Sequence, residues 1–397
     1  MASLRAIGMA GTVVVARWLG PAAFGAASLP HQVGGMVGTA IGYGTATAAT
    51  KTVSEQPVDA RTDAIDTARR IAAVVGIGLI TASVAVASVL QLCGRTETAG
   101  ASLATGAIAA LTVRQLTNLG LIASLGRYRS QAVAGTVGSV VGVVSLLLLA
   151  WTGSITAATV GLVVLVAAQT VAIGRVLPTR IRRSPSRQRV AASRRRVALF
   201  WRTATPAAIV ASLGVVGQLG GVAILWASHP AGDEFGLFMA ANQIFVLLMF
   251  VPSTLAAVLF PVLVERRTGA AGLGLAGVVL AAALPVGVAW LLADAIVALY
   301  GPAYFGLLAP LRWSLLTVLA AAVLRPTYHA LAADEKLAAA PCLAGVSAVV
   351  LIAAAWAWRA DGATGLAAAR CLSFALHMVL AGGWLLTTPA ARVQVAT

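Results

Sequence analysis

Twelve apolar stretches separated by short polar ones run the length of the chain. Six lie at approximately 2–16, 26–49, 71–92, 100–125, 132–151 and 155–177; after an arginine-rich break, six more lie at 204–226, 237–260, 271–293, 307–328, 339–358 and 362–386. A helix needs about 17–25 mostly apolar residues to cross the hydrocarbon core of a bilayer, and most of these stretches meet that length. None shows the apolar/polar alternation of a membrane β-barrel strand. They are rich in Ala, Gly, Val and Leu, which suits close helix packing in lipid. The first stretch is the exception. Ala6 to Ala16 is a short apolar core between Arg5 and Arg17. It reads as a first span that is short or begins upstream of the given start, although a signal peptide shares its basic start and small residues near Ala16.

The composition agrees with spans. Of 397 residues, 59% are apolar and 10% charged, against about 45–50% and 25% in soluble domains, and the mean hydropathy is +0.92. This excludes a disordered chain and a disulfide scaffold, and argues against a soluble enzyme. The net charge of +16 is then a topology signal. With the N-terminus placed in the cytoplasm, 22 of the 28 Lys and Arg fall on the cytoplasmic side, and only Arg17, Arg95 and Arg359 on the other. Arg114, Arg312 and Arg370 lie within or near the ends of spans. The positive-inside rule therefore predicts a multi-pass protein of the cytoplasmic (inner) membrane with both termini in the cytoplasm. The basic run Arg175–Arg202 reads as an anchor for anionic lipid headgroups rather than a nucleic-acid site. Cys93, Cys342 and Cys371, with scattered His31, His229, His329 and His377, offer neither a disulfide framework nor metal-ligand spacing, and no cofactor is expected.

The break at 178–203 separates a predicted N-terminal six-helix bundle (1–177) from a C-terminal one (204–397). The halves share an echo: Phe24-Gly25 precedes Gln32 as Phe235-Gly236 precedes Gln243, at an offset of 211 residues. Six spans per half is an even number, so the repeats are parallel, an arrangement that places substrate between halves.

Ala16-Arg17-Trp18-Leu19-Gly20-Pro21-Ala22-Ala23-Phe24-Gly25 resembles the segment after the first span of polysaccharide-biosynthesis flippases of the multidrug/oligosaccharidyl-lipid/polysaccharide exporter superfamily. Similarity continues through Gly42-Tyr43-Gly44, Ala48-Ala49-Thr50-Lys51, Glu234-Phe235-Gly236-Leu237-Phe238-Met239-Ala240-Ala241, Phe260-Pro261-Val262-Leu263 and Leu299-Tyr300-Gly301-Pro302-Ala303-Tyr304. The chain departs from the family at Gln218-Leu219-Gly220-Gly221, where many members carry an acid in the seventh span. The resemblance implies an all-α polytopic membrane protein of about twelve transmembrane helices in two parallel six-helix bundles around a central cavity. It also implies alternating access and a cargo of prenyl-phosphate- or prenyl-pyrophosphate-linked oligosaccharide moved to the outer leaflet, with membrane lipids, a polysaccharide polymerase and glycosyltransferases as partners and no nucleic acid.

Such a cargo carries phosphate through hydrocarbon, so cationic groups in a hydrated cavity are required, and arginine binds phosphate through two donors. Arg114 lies near the middle of the fourth stretch; Thr117 and Asn118, three and four residues on, are expected on its face. Arg370, with Ser373 and His377 at +3 and +7, is a second candidate. Arg312 and Arg17 are the remaining ones, with interfacial snorkelling as their competing role. Gln32, Gln169, Gln218, Asn242 and Gln243 either line the cavity or bond between helices. Asp294 is the only acid near a span. The lack of an intramembrane carboxylate for a coupling cation weighs against the alternative, a multidrug or small-metabolite exporter of the same superfamily. A polysaccharide polymerase or ligase would need a large outer catalytic loop, and the outer loops are short, so no enzyme is expected.

Overall fold

The computed structural model describes residues 2–57, 61–177, 187–253, 255, 270–333 and 339–387. Phe260-Pro261-Val262-Leu263, Arg266, Arg267, Lys336, Arg392 and residues 178–186 of the basic break lie outside them. Among the described residues the regular elements are all helical. They are α1 (Ala2–Ser54), α2 (Arg61–Leu92), α3 (Thr96–Ser124), α4 (Tyr128–Ala150), α5 (Ile155–Gly174), α6 (Arg187–Ser228), α7 (Asp233–Leu248), α8 (Ala270–Leu291), α9 (Ala293–Tyr300), α10 (Leu308–Ala333), α11 (Ala339–Ala357) and α12 (Gly362–Thr387), with 3-10 turns at Pro302–Leu307 and Arg359–Asp361. Nine of these helices are long and apolar enough to cross a membrane, ten when Gly277–Leu291 and Ala293–Tyr300, bent by 66° at their junction, count as one span. Large apolar side chains stand exposed along them, Val74, Leu148, Leu280, Leu284 and Val349 among others. Such an exterior suits hydrocarbon as solvent, not water.

The chain forms two compact units, Met1–Val215 and Val216–Thr397, and the boundary falls inside α6. In the first unit, two of the apolar stretches share α1, which at 53 residues is far longer than one crossing. Gly20, at φ 74 and ψ 167, breaks it. The glycine adopts a positive φ that other residues avoid, and Pro21 then starts the next arm with no N–H to satisfy. Packing shows that the chain reverses there. Before the break, Gly11 abuts Val143 and Trp18 meets Trp151 edge-on at 5.3 Å, so this arm runs alongside α4 in the same direction. After it, Gly34, Gly38 and Gly42 meet Ile108, Thr112 and Leu116 in turn, so the second arm runs with α3. Gly138, Gly142 and Leu146 of α4 pair with Gln169, Leu165 and Gly161 of α5, so these two run antiparallel, and Leu111 and Asn118 of α3 meet Thr170 and Gly174 of α5, so α3 runs with α5 and against α4. The two arms of α1 are thus the first two spans.

Small residues make these contacts. A Cβ at Gly38 would sit 2.6 Å from Thr112 Cβ and 2.7 Å from the Ala109 carbonyl oxygen. Gly34 and Gly42, one turn to either side, are as tight, and Gly120 of α3 faces Ala46 and Thr50. At that approach the Thr50 hydroxyl donates to the Gly120 carbonyl at 3.1 Å, and the Thr45 and Thr117 hydroxyls lie 2.8 Å apart. A second layer at one end buries Ala48, Val53, Ile65, Ala68, Leu121, Ile122, Ile173, Phe200 and Ala204, so α6 enters this unit's core at Phe200 and Ala204. In the second unit α10 is central, packing on α7, α8 and α12, while Gly217 and Gly220 of α6 close on Ala348 and Ile352 of α11.

Positive-φ glycines expose the internal repeat. Six of the seven pair up: Gly20, Gly94 and Gly153 turn the first unit, and Gly232, Gly301 and Gly362 turn the second, at offsets of 212, 207 and 209 residues, while Gly126 turns α3 into α4. All six fall between an odd span and the following even one. Tryptophans gather at the same helix ends: Trp18 and Trp151 in the first unit, and Trp226, Trp290, Trp313, Trp356 and Trp358 in the second. This is an aromatic interface belt. At the opposite end of the first unit lie Lys51, Arg61, Arg69, Arg70, Arg127, Arg129 and Arg175.

The close approach of α1 to α3 yields a test. Gly38→Leu should lower the melting temperature of the detergent-solubilised protein, with an overpacking cost of about 1–3 kcal/mol. Gly35→Leu should leave it nearly unchanged, because nothing lies within 4 Å of a Cβ there. Equal melting temperatures for the two variants would contradict this packing.

Candidate functional site

The arginines singled out from the sequence occupy two different settings. Arg370 of α12 is only 2% exposed. Its Nη1 donates to Asn242 Oδ1 of α7 at 2.6 Å, and its Nη2 donates to Ser314 Oγ of α10 at 3.1 Å. Phe238 and Phe245, one on each side of Asn242 along α7, present their rings to the guanidinium carbon at 5.1 and 4.4 Å. Arg370 therefore ties three helices together through two hydrogen bonds and two cation–π contacts. Its Nε is buried without a hydrogen-bond partner. Among the described residues no carboxylate joins the cluster. A charge-assisted bond to a neutral amide replaces the salt bridge that a buried cation usually seeks. Ser373 and His377 follow on the same side of α12 and are both buried. Ser373 Oγ donates to the Ser347 carbonyl of α11 at 2.8 Å and lies 2.7 Å from its hydroxyl.

Arg114 of α3 is the opposite case. It is exposed and makes no hydrogen bond or ion pair among the described residues, although the helix continues for about 15 Å or more beyond it in both directions at 1.5 Å per residue. Thr117 and Asn118, expected beside it, are 0% and 1% exposed. Thr117 bonds back to the Val113 carbonyl and faces Thr45, and Asn118 points at the backbone of Gly174. The three residues do not form one exposed stripe. At three- and four-residue spacing they flank Arg114 on one face, but α1 meets Thr117 and the end of α5 meets Asn118, while Arg114, about one turn nearer the N-terminus of α3, stays uncovered. Gln169 lies between helices: Gln115 Nε2 donates to Gln169 Oε1 at 3.4 Å, and Gln169 Nε2 donates to Ser139 Oγ at 2.9 Å.

Arg312 and Arg17 lie at the tryptophan-bearing ends. The Arg312 guanidinium stacks over Trp290 at 5.6 Å; Arg17 is exposed next to Trp18. Among the described residues Arg312 is not joined to Arg370 within its unit, nor Arg17 to Arg114 within its own. Sequence reasoning missed Ser314, Phe238 and Phe245 as partners of Arg370, since a serine and two phenylalanines in apolar spans carry no signal of their own. Two of the flippase-like motifs of the second half make contacts between helices. Glu234 Oε2 accepts from the Ala363 N–H at 2.7 Å, capping the first turn of α12 at Gly362. The Tyr300 hydroxyl donates to Gln243 Oε1 at 3.0 Å, and the Tyr304 ring lies tilted against that of Tyr300 at 5.3 Å.

Truncating Arg370 orphans Asn242 and Ser314 and leaves a void between two rings. Arg370→Ala should therefore destabilise the second unit by about 3 kcal/mol, read as a lower melting temperature in the absence of any cargo. Arg370→Lys should recover part of that loss; a melting temperature unchanged in Arg370→Ala would show that the cluster carries no stability.

The sequence matches the family model described as polysaccharide biosynthesis protein over residues 3–266. No curated protein matches it. Among solved structures, an inward-facing multidrug resistance MATE family transporter of the MOP superfamily superposes with a TM-score of 0.71 at 14% identity, covering 97% of this chain and 93% of that one. The lipid II flippase MurJ in its inward closed conformation superposes with a TM-score of 0.70 at 11% identity, covering 97% and 86%. A MOP superfamily transporter from Pyrococcus furiosus, described as having a binding pocket of reversed polarity, gives 0.67 at 14% identity, covering 97% and 93%. At these identities the superpositions establish the fold, and the family model, matching well over half of the chain, establishes the kinship: this chain belongs to the polysaccharide biosynthesis protein family and has the all-helical MOP-superfamily fold.

Proposed function

We propose that the protein is a flippase that carries a prenyl-phosphate- or prenyl-pyrophosphate-linked oligosaccharide from the cytoplasmic to the outer leaflet by alternating access. The observation that carries this reading is Arg114, an uncovered cation deep within an apolar helix, with no ion partner among the described residues. Hydrocarbon would make such a charge costly by several kcal/mol, so its surroundings must supply water or an anion. A phosphate head passing along α3 supplies the anion, and a guanidinium meets it through two donors. Family membership supports a saccharide attached to that head.

The charge distribution supports the orientation. The basic end of the first unit, from Lys51 to Arg175, faces the cytoplasm, and the glycine-turn end with its tryptophans faces out. In this reading Arg114 binds the cargo's anionic head, whereas Arg370, with both Nη groups engaged, is a positioning residue that holds α7, α10 and α12 together. Glycosyltransferases load the lipid on the inner side, and a polymerase consumes it on the outer.

Removal of the gene should trap sugar-loaded prenyl lipid in the cytoplasmic leaflet, measured by accessibility of the sugar to an impermeant lectin or glycosidase. Unchanged lipid distribution, together with lost resistance to cationic drugs, would favour the multidrug reading instead. Arg114→Ala should lower export about ten-fold at unchanged protein level and melting temperature, the value of roughly one charge-assisted contact. Normal export by that variant would remove Arg114 from the pathway.

A further inference from the structure

At the glycine-turn end of the second unit, α8 stops at Leu291, the chain bends by 66° into the eight-residue α9, and a 3-10 turn leads into α10. The bend leaves an open groove of about 450 Å³ between the end of α8 and the start of α10. Trp290, Phe305, Trp313 and Leu316 form its apolar walls, and Arg312 is the one charged residue that lines it. Phe305 is 86% exposed and Leu291, just outside, 83%, so these side chains are placed for contact with lipid rather than with protein.

Arg312 is held but not neutralised. The face of Trp290 supports its guanidinium at 5.6 Å, yet it makes no hydrogen bond or ion pair among the described residues. The first residues of α10, Leu308 and Ala309, also line the groove, which brings the positive end of the α10 dipole to the same place. The groove thus pairs a cation and a helix N-terminus with apolar walls, at the depth where the tryptophans mark the membrane interface. The absence of a lining carboxylate leaves nothing to receive the ammonium of a zwitterionic headgroup.

We propose that this groove binds an anionic phospholipid of the outer leaflet, its phosphate on Arg312 and its acyl chain against Phe305, Trp313 and Leu316. The site lies wholly within the second unit and does not depend on the flippase reading, because the occupant is a resident membrane lipid and not the cargo. It would seat the bent α8–α9 junction against the bilayer surface.

The test uses the purified full chain without cargo. In mixed micelles, brominated phosphatidylglycerol should quench tryptophan fluorescence more than brominated phosphatidylcholine, and Trp290→Phe should remove much of the difference. By native mass spectrometry, Arg312→Gln should weaken phosphatidylglycerol retention about five-fold, the contribution of one interfacial basic residue. Equal quenching by the two wild-type lipid mixtures would overturn the proposal even if the variants failed to fold. So would undiminished phosphatidylglycerol retention by a folded Arg312→Gln protein. Preferential, Arg312-dependent retention of undecaprenyl phosphate over phosphatidylglycerol would also overturn it, by assigning the groove to a cargo-like lipid.

Discussion

Close backbone approach between helices is the constraint on which the rest of this structure depends. In hydrocarbon an apolar side chain gains little by leaving its surroundings, so helices associate through van der Waals contact and interhelical hydrogen bonds. Gly34, Gly38 and Gly42 create one such seam by removing every Cβ that would separate α1 from α3. Only at that distance do the Thr45 and Thr117 hydroxyls meet and Thr50 reach the Gly120 carbonyl. The same device recurs between α4 and α5 and between α6 and α11. Helices that are apolar on every side need it, since they have no hydrophobic stripe to choose a packing face.

Once the seams are set, the polar residues sort by which face remains uncovered. Thr117, Asn118 and Gln169 fall on covered faces and serve packing. Arg114, about one turn before the first two on the same helix, lies at a level where that face is open. Arg370 lies on a covered face and is accommodated by Asn242, Ser314 and two rings rather than by an acid. A buried cation without a carboxylate keeps the charge of this unit positive, and it does so with partners that cannot be lost by protonation. The two arginines are alike in sequence context and opposite in setting.

The internal repeat also reads differently in three dimensions. A single Phe-Gly echo at an offset of 211 residues becomes three pairs of glycine turns at offsets of 207–212. Each pair links an odd span to the next even one.

The sequence by itself determined the class of molecule, its twelve apolar stretches and the division of its charge, because crossing length and the cost of burying ions act on composition and order alone. It also contained enough ordered motif, from Ala16 through Tyr304, to point to the right family. It did not determine which polar residues share a surface. Spacing placed Thr117 and Asn118 about 60° and 40° to either side of Arg114 on one face, but the packing of α1 and α5 decides at which turns of α3 that face is covered. Nor could spacing join Arg370 to Asn242 and Ser314, since those contacts span 128 and 56 residues of chain and exist only where three helices converge. The contacts of Glu234 with the N-terminus of α12 and of Tyr300 with Gln243 are of the same kind: motifs legible as strings, whose partners are set by the tertiary fold that brings distant parts of the chain together.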